Sequence, residues 1–213
     1  ALRDTVRGIY GRVDWEKFID QKALPAHKLF LMGWSPEEGF LKWRWDYYSD
    51  EAILVTLLAL GSPAKQVSPE VFYDWTRQWG SYEGSPPFIY SWLGPLFTYQ
   101  YANLWFDFRY RSDRNGVNWY RNSANAVAAH RRFCMEEGAS SKAYGPEMWG
   151  ISSVETPDGY TMSQGAFPNG ERCARHDGTI SPFGAAASVM LTPFSGYAAM
   201  EYMYYAVPKT RGK

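Results

Sequence analysis

Glu51 opens the apolar run "EAILVTLLAL", directly behind a stretch dense in rings and charge that includes Trp43, Arg44, Trp45, Tyr47 and Tyr48. A carboxyl that projects from a buried helix into aromatic surroundings loses hydration. Its acid form is then favoured, and it can protonate a leaving oxygen near neutral pH. That is the general-acid half of glycoside hydrolysis. The structural alternative is that Asp50 and Glu51 complement the positive end of a helix dipole.

Four further clusters carry groups that could hold a sugar. In "LWFDFRYRSDR", Asp107 and Arg109 follow Trp105, and Asp107 could bind hydroxyls, activate a water, or pair with Arg109 or Arg111. In "ARHDGTISP", Asp177 lies in a turn ahead of a helix start, where Asp-Gly also simply satisfies turn geometry. "AYGPEMWGISS" contributes Tyr144, Glu147 and Trp149, and "RQWGSYEG" contributes Trp79 and Tyr82. Any one ring alone reads equally as core. Five clusters together favour a carbohydrate groove, because a flat apolar face with a hydrogen-bonding edge suits a partly wet ligand.

These residues need a scaffold, and the periodic segments are helical. Asp4 to Asp20, Glu51 to Leu60, Pro95 to Tyr110 and Val117 to Glu137 read as helices. Ser68-Pro69, Ser181-Pro182 and Thr192-Pro193 each place a capping hydroxyl before a proline at the first helical position. About seven helices are therefore expected, joined by long loops rich in Gly, Pro and aromatics, which is where sites normally sit. Strand signals are weak and confined to Lys42–Trp45, Gly150–Val154 and Tyr160–Met162 as possible hairpins. The fold class is mostly α, in a single domain over 1–213.

The bulk numbers narrow the function further. The chain has 213 residues, 22 basic and 22 acidic side chains, and 18% aromatics with 10 Trp and 16 Tyr. Balanced charge without a basic stripe argues against nucleic acid or an anionic membrane surface as partner. No apolar run reaches the ~18 to 20 residues of a membrane span, and the sequence beginning at Ala1 shows no signal peptide, as in a mature form. Cys134 and Cys173 permit one disulfide or two thiols. His27, His130 and His176 include no pair on one helix face, so a zinc hydrolase is not expected. No metal site or cofactor is expected.

Nine segments, "RVDW", "MGWSPEEGFL", "WRWDYYSDEAILVTLLALGSP", "WGSYEG", "GPLFTYQYANLWFDFR", "NSANAVAAHRRF", "YGPEMWGISS", "DGY" and "DGTISPFGAAAS", run in an order that resembles the bacterial glucoamylase-like domain. That family includes endo-β-1,2-glucanases, with a related domain in cyclic β-1,2-glucan synthases. The resemblance implies an (α/α)6 toroid with a loop-lined cleft at one end. It also implies hydrolysis of a β-linked glucan, β-1,2-glucan being favoured, by inversion with a Glu acid and a water held by a second carboxylate. Glu51 matches the family acid, although "YSDE" departs from the expected spacing and lets Asp50 compete for the role. Asp177 and Asp107 are the candidates for holding the water. Trp34, Arg44, Trp45, Tyr48, Tyr82, Trp105, Arg109, Tyr144 and Trp149 would line the cleft.

Members of the family carry further N-terminal helices, so the resemblance covers the C-terminal part of the domain. An incomplete toroid would associate with a missing N-terminal part or with a second copy. A polymeric substrate points to a periplasmic or extracellular location. Two other functions fit the same residues: a carbohydrate-binding protein without turnover, and a polysaccharide lyase using Tyr48 as base with Arg44 against a uronate.

Overall fold

The computed structural model describes residues 1–21, 26–141, 143–162 and 164–207. Its chain forms two compact units, Ala1–Arg77 and Gln78–Lys213, with no linker composition at the boundary. Among the described residues the regular structure is mainly helical, with five α-helices, short 3-10 turns and three two-stranded antiparallel hairpins, and irregular loops take up more of the chain than the expected mostly-α fold allowed.

In the first unit, α1 (Leu2–Tyr10) is followed by a 3-10 turn at Trp15–Phe18, so the expected Asp4–Asp20 helix is broken at its C-cap, Gly11. A short hairpin pairs β1 (Trp34–Ser35) with β2 (Gly39–Phe40), and the Lys42–Trp45 piece makes only an isolated bridge, Arg44 to Leu31. Helix α2 (Asp50–Leu60) starts at Ser49, whose hydroxyl accepts the Ala52 N–H at 3.1 Å. It buries Ala52, Ile53, Thr56 and Ala59. Ala59 joins Ile19, Phe30, Val67 and Val71 in a cluster to which Trp15, Phe18, Trp45, Val55 and Leu60 add their partly buried surfaces. The Ser68 cap is present, but it starts a 3-10 turn at Pro69–Phe72 and no α-helix.

The second unit is organised around α3 (Trp119–Glu137). Asn118 caps it by accepting the Arg121 N–H at 2.8 Å. Buried positions Trp119, Asn122, Ser123, Ala126, Val127, His130, Phe133 and Cys134 recur at three- and four-residue intervals and make one continuous inner face. The hairpin of β3 (Gln78–Gly80) with β4 (Phe88–Tyr90) docks there through Asn122, which accepts from Ile89 N–H at 2.7 Å and donates to Ile89 C=O at 3.1 Å. His130 Nε2 accepts the Ile151 N–H at 2.9 Å. Burial holds this imidazole neutral, down to about 3.

The expected helix from Pro95 to Tyr110 is instead two 3-10 turns, Leu96–Tyr99 and Ala102–Leu104. Its polar side chains bond elsewhere, which competes with a continuous helix. Thr98 shares a hydrogen bond with Ser91, and Gln100 donates to Gly184 C=O at 2.8 Å and Ser188 Oγ at 2.7 Å. The remaining elements are the hairpin of β5 (Val154–Thr156) with β6 (Gly159–Thr161), α4 (Pro182–Ala187) with a 3-10 extension, and α5 (Pro193–Ala206). Both helices start at the expected proline, but neither preceding hydroxyl caps its helix: Ser181 donates to Ser152 C=O at 3.2 Å and Thr192 to Ser188 C=O at 3.4 Å. Cys134 and Cys173 are both free thiols, so no disulfide links them.

Asn122→Leu strands the buried N–H and C=O of Ile89 and is expected to destabilise the chain by roughly 2 to 5 kcal/mol. Asn125→Ala, which removes one exposed bond to Pro87 C=O, should cost well under half of that. Urea unfolding midpoints of the two variants check the ranking.

Candidate functional site

In the first unit, backbone bonds from Tyr48 N–H to Thr76 C=O at 3.0 Å and from Thr76 N–H to Asp46 C=O at 2.8 Å fix the approach to α2. The two acids at the start of that helix then diverge. Asp50 is buried, 1% exposed, and its carboxylate accepts from Tyr48 hydroxyl at 3.1 Å. Glu51 is half-buried. No side-chain hydrogen bond or ion pair reaches it among the described residues, and burial raises its carboxyl above the usual glutamate range. Asp50 is committed to the scaffold, whereas burial favours the acid form of Glu51.

The other residues expected around Glu51 divide between surface and core. Trp34 faces Phe40 across the first hairpin and is 55% exposed. Arg44 is engaged by Asp20 in a part-buried ion pair. Trp45 packs on the core cluster, and Tyr48 is buried with its ring 6.0 Å from Trp75. Tyr48 and Trp45 therefore support the helix start and do not offer an open ring face. With Tyr48 hydroxyl given to Asp50 and Arg44 given to Asp20, the base and cation required for uronate elimination are both occupied.

In the second unit, segment 103–109 with Tyr120 and Met190 lines an open cavity of about 380 Å³. Trp105 stands at it 66% exposed. Arg109 donates to Asp107 through its backbone N–H at 3.1 Å, Nε at 2.9 Å and a terminal nitrogen at 2.7 Å. This fork brings the Asp107 carboxyl down to about 2 and raises the guanidinium further. A carboxylate so firmly ionised is a poor proton acceptor, so the pair suits binding better than proton transfer. Asn118 Nδ2 donates to the carbonyls of Phe108, Arg109 and Arg111 at 3.0 to 3.2 Å, which ties this loop to the cap of α3.

Asp177 is exposed in a turn completed by Gly178 at φ +92. Its Oδ1 accepts the Thr179 N–H at 2.9 Å, and bonds from Thr179 and Gln164 lower its carboxyl. Tyr144 braces the turn from beneath. Its hydroxyl accepts the Gly178 N–H at 3.0 Å, its ring lies 5.5 Å from His176, and burial pushes the phenol up to about 12. Tyr82 stands edge-on to Phe133, and burial, followed by the nearby Glu136 carboxylate, raises its phenol.

Trp149 is fully buried. The structure thus moves three expected cleft residues, Tyr48, Tyr144 and Trp149, into the interior, where close packing leaves no ring face for a sugar. Asn118, Tyr120 and Gln164 were not singled out from sequence. Only Asn118 carried a readable signal, an Asn directly before a helical run. No three His, Cys, Asp or Glu side chains gather as a metal site among the described residues, and no described helix is long and apolar enough to cross a membrane.

Because the folded-state pKa of Glu51 lies above its unfolded value, its stabilising contribution is full at pH below the unfolded value and is lost as pH rises through the folded one. Glu51→Gln is therefore expected to raise the Tm at pH 8 but not at pH 4. Paired thermal melts at the two pH values test this, and equal shifts would mean that burial of the carboxylate carries no cost.

The scaffold has relatives. The Glycoamylase family model, a glucoamylase description, matches residues 42–213. An exo β-1,2-glucooligosaccharide sophorohydrolase (non-reducing end) of Parabacteroides distasonis is 24% identical over 95% of this chain, which covers 30% of that protein. A solved endo-β-1,2-glucanase from Chitinophaga pinensis, in complex with sophorotriose and glucose, matches 100% of this chain and 50% of its own at a TM-score of 0.80 with 23% identity. A solved β-1,2-glucanase from Parabacteroides distasonis matches 97% of this chain and 32% of its own, also at 0.80, with 21% identity. The chain therefore spans about a third to a half of these relatives' lengths while reproducing the fold of the parts it matches. With most of its length inside the family model, the chain belongs to the Glycoamylase family.

Proposed function

We propose that this chain acts in the hydrolysis of a β-linked glucan, with β-1,2-glucan as the favoured substrate and Glu51 as general acid. The observation that carries the reading is Glu51 itself: half-buried, without a hydrogen-bond or ion-pair partner among the described residues, and shifted toward its acid form at the start of a rigid helix. The relatives' activities on β-1,2-linked glucans support the substrate class.

In the proposed reaction Glu51 delivers its proton to the glycosidic oxygen as the C1–O bond breaks. A water attacks C1 from the opposite face and gives its proton to a second carboxylate, inverting the anomeric centre. Asp177 is the better candidate for that base, since Asp107 is held by Arg109. The two units are proposed as parts of one catalytic domain built on an (α/α)6 toroid. A periplasmic or extracellular setting fits a polymeric substrate. Binding without turnover is the second reading, motivated by the chain spanning only 30 to 50% of its active relatives.

Product release from linear β-1,2-glucan, β-1,3-glucan and starch by the chain and its Glu51→Gln variant decides between them. The expected result is release from β-1,2-glucan alone, reduced ~10²- to 10⁴-fold in the variant. The rate should also fall as pH rises through the elevated Glu51 pKa, because the acid must hold its proton. Bound oligosaccharide with no product would establish the binding reading, and undiminished release by the variant would remove Glu51 from the mechanism.

A further inference from the structure

The cavity formed by segment 103–109 has a donor and acceptor pattern more specific than a generic sugar groove. An ionised carboxylate offers about four lone-pair positions and a guanidinium five N–H groups. The Asp107–Arg109 fork uses three of the former, two on Oδ1 and one on Oδ2, and two of the latter. An acceptor position on Oδ2 and the second N–H of the terminal nitrogen that bonds it are left side by side. Both side chains are more than half exposed, where an ion pair contributes little to stability. The fork is nevertheless pre-organised, since Asn118 holds the carbonyls of Phe108, Arg109 and Arg111. Trp105 adds an exposed indole beside it.

Adjacent acceptor and donor groups in a plane match a vicinal diol. One hydroxyl donates to the carboxylate, its neighbour accepts from the guanidinium, and the C–H-rich face of the same ring lies on the indole. The linkage of a glucan decides which such diol exists. In a 1,2-linked chain every internal unit has O1 and O2 committed and keeps its 3-OH and 4-OH free and adjacent. An internal unit of a 1,3-linked chain keeps no adjacent pair of ring hydroxyls, and one of a 1,4-linked chain keeps only its 2-OH and 3-OH.

We propose that this cavity is a glucosyl-binding subsite that reads the free 3,4-diol, with Asp107 and Arg109 as the residues that select 1,2-linked over 1,3-linked glucan and Trp105 as the platform beneath the ring. This rests on the glucan reading above and deepens it: Asp107 binds substrate and is not the catalytic base. The diol exchanges water for protein hydrogen bonds, and no covalent step takes place there.

The test is calorimetric titration of the full chain, carrying Glu51→Gln to silence turnover, with 1,2-linked and 1,3-linked glucohexaose. The expected result is binding of the 1,2-linked hexamer about 10-fold or more tighter, which corresponds to one well-formed polar contact set. Asp107→Asn and Arg109→Lys should erase most of that preference, and Trp105→Ala should weaken both hexamers alike. Melting curves unchanged by the Asp107 and Arg109 substitutions would confirm that the readout is recognition and not folding. Equal affinity for the two hexamers, no binding of either, or a preference that survives Asp107→Asn would each overturn the proposal.

Steady-state kinetics of the chain with native Glu51 separate this outcome from that of the hydrolase reading. Hydrolysis of β-1,2-glucan with KM unmoved by Asp107→Asn sinks the subsite and leaves the activity standing. Linkage-selective binding without any hydrolysis does the reverse.

Discussion

The second unit depends on one buried contact, the two-way hydrogen bond between the Asn122 side chain and the backbone of Ile89. A fold with short hairpins and long irregular connections has many backbone groups that no ladder or helix will satisfy, and each one left unpaired in the interior is costly. Helix α3 resolves this by carrying hydrogen-bonding side chains on its inner face. Asn122 acts as a surrogate third strand for β4, and His130 accepts from Ile151. Gln100 does the same for the backbone at Gly184 and for Ser188 from a neighbouring 3-10 turn. The loops are as well determined as the helices because amides and an imidazole read their backbones directly.

That arrangement explains how exposed functional groups can be held without being buried. The Asp107–Arg109 fork lies on the surface, yet its loop is fixed through Asn118 to the capped end of α3. The Asp177 turn is likewise open to solvent above and seated on the Tyr144 hydroxyl below. Glu51 has the opposite environment: it is half-buried, has no hydrogen-bond or ion-pair partner among the described residues, and has its proton affinity raised by burial. On the proposed reading the groups that bind are charged and paired, whereas the group that would donate a proton is partly desolvated. This is the division expected where two kinds of carboxylate serve different ends on one scaffold.

Much of this was legible from residue types. The apolar run from Glu51 to Leu60 specified α2, the helical period over Val117–Glu137 specified α3, and the proline starts specified α4 and α5, whereas the Ser49 cap emerged only from the structure. The Pro95–Tyr110 stretch was misread because its apolar spacing is helical while Thr98, Gln100 and Asn103 take hydrogen-bond partners outside the stretch, at Ser91, Ser188 and Ser123, of which the last two are distant in sequence. Trp149 and Tyr144 looked like platform residues for a related reason, since composition records that a ring is present but not whether the chain folds over it. Local signals fixed elements and caps. Long-range contacts decided which aromatic faces remained in solvent.

The state of the two cysteines has a practical consequence. Cys134 is sealed inside α3, where burial pushes its thiol up to about 12, while Cys173 is exposed. A thiol with so little thiolate at neutral pH is a poor nucleophile toward alkylating reagents. The folded chain accordingly presents a single chemically addressable sulfur, and a fluorophore or spin label can be attached to the second unit at one defined position without mutating either cysteine.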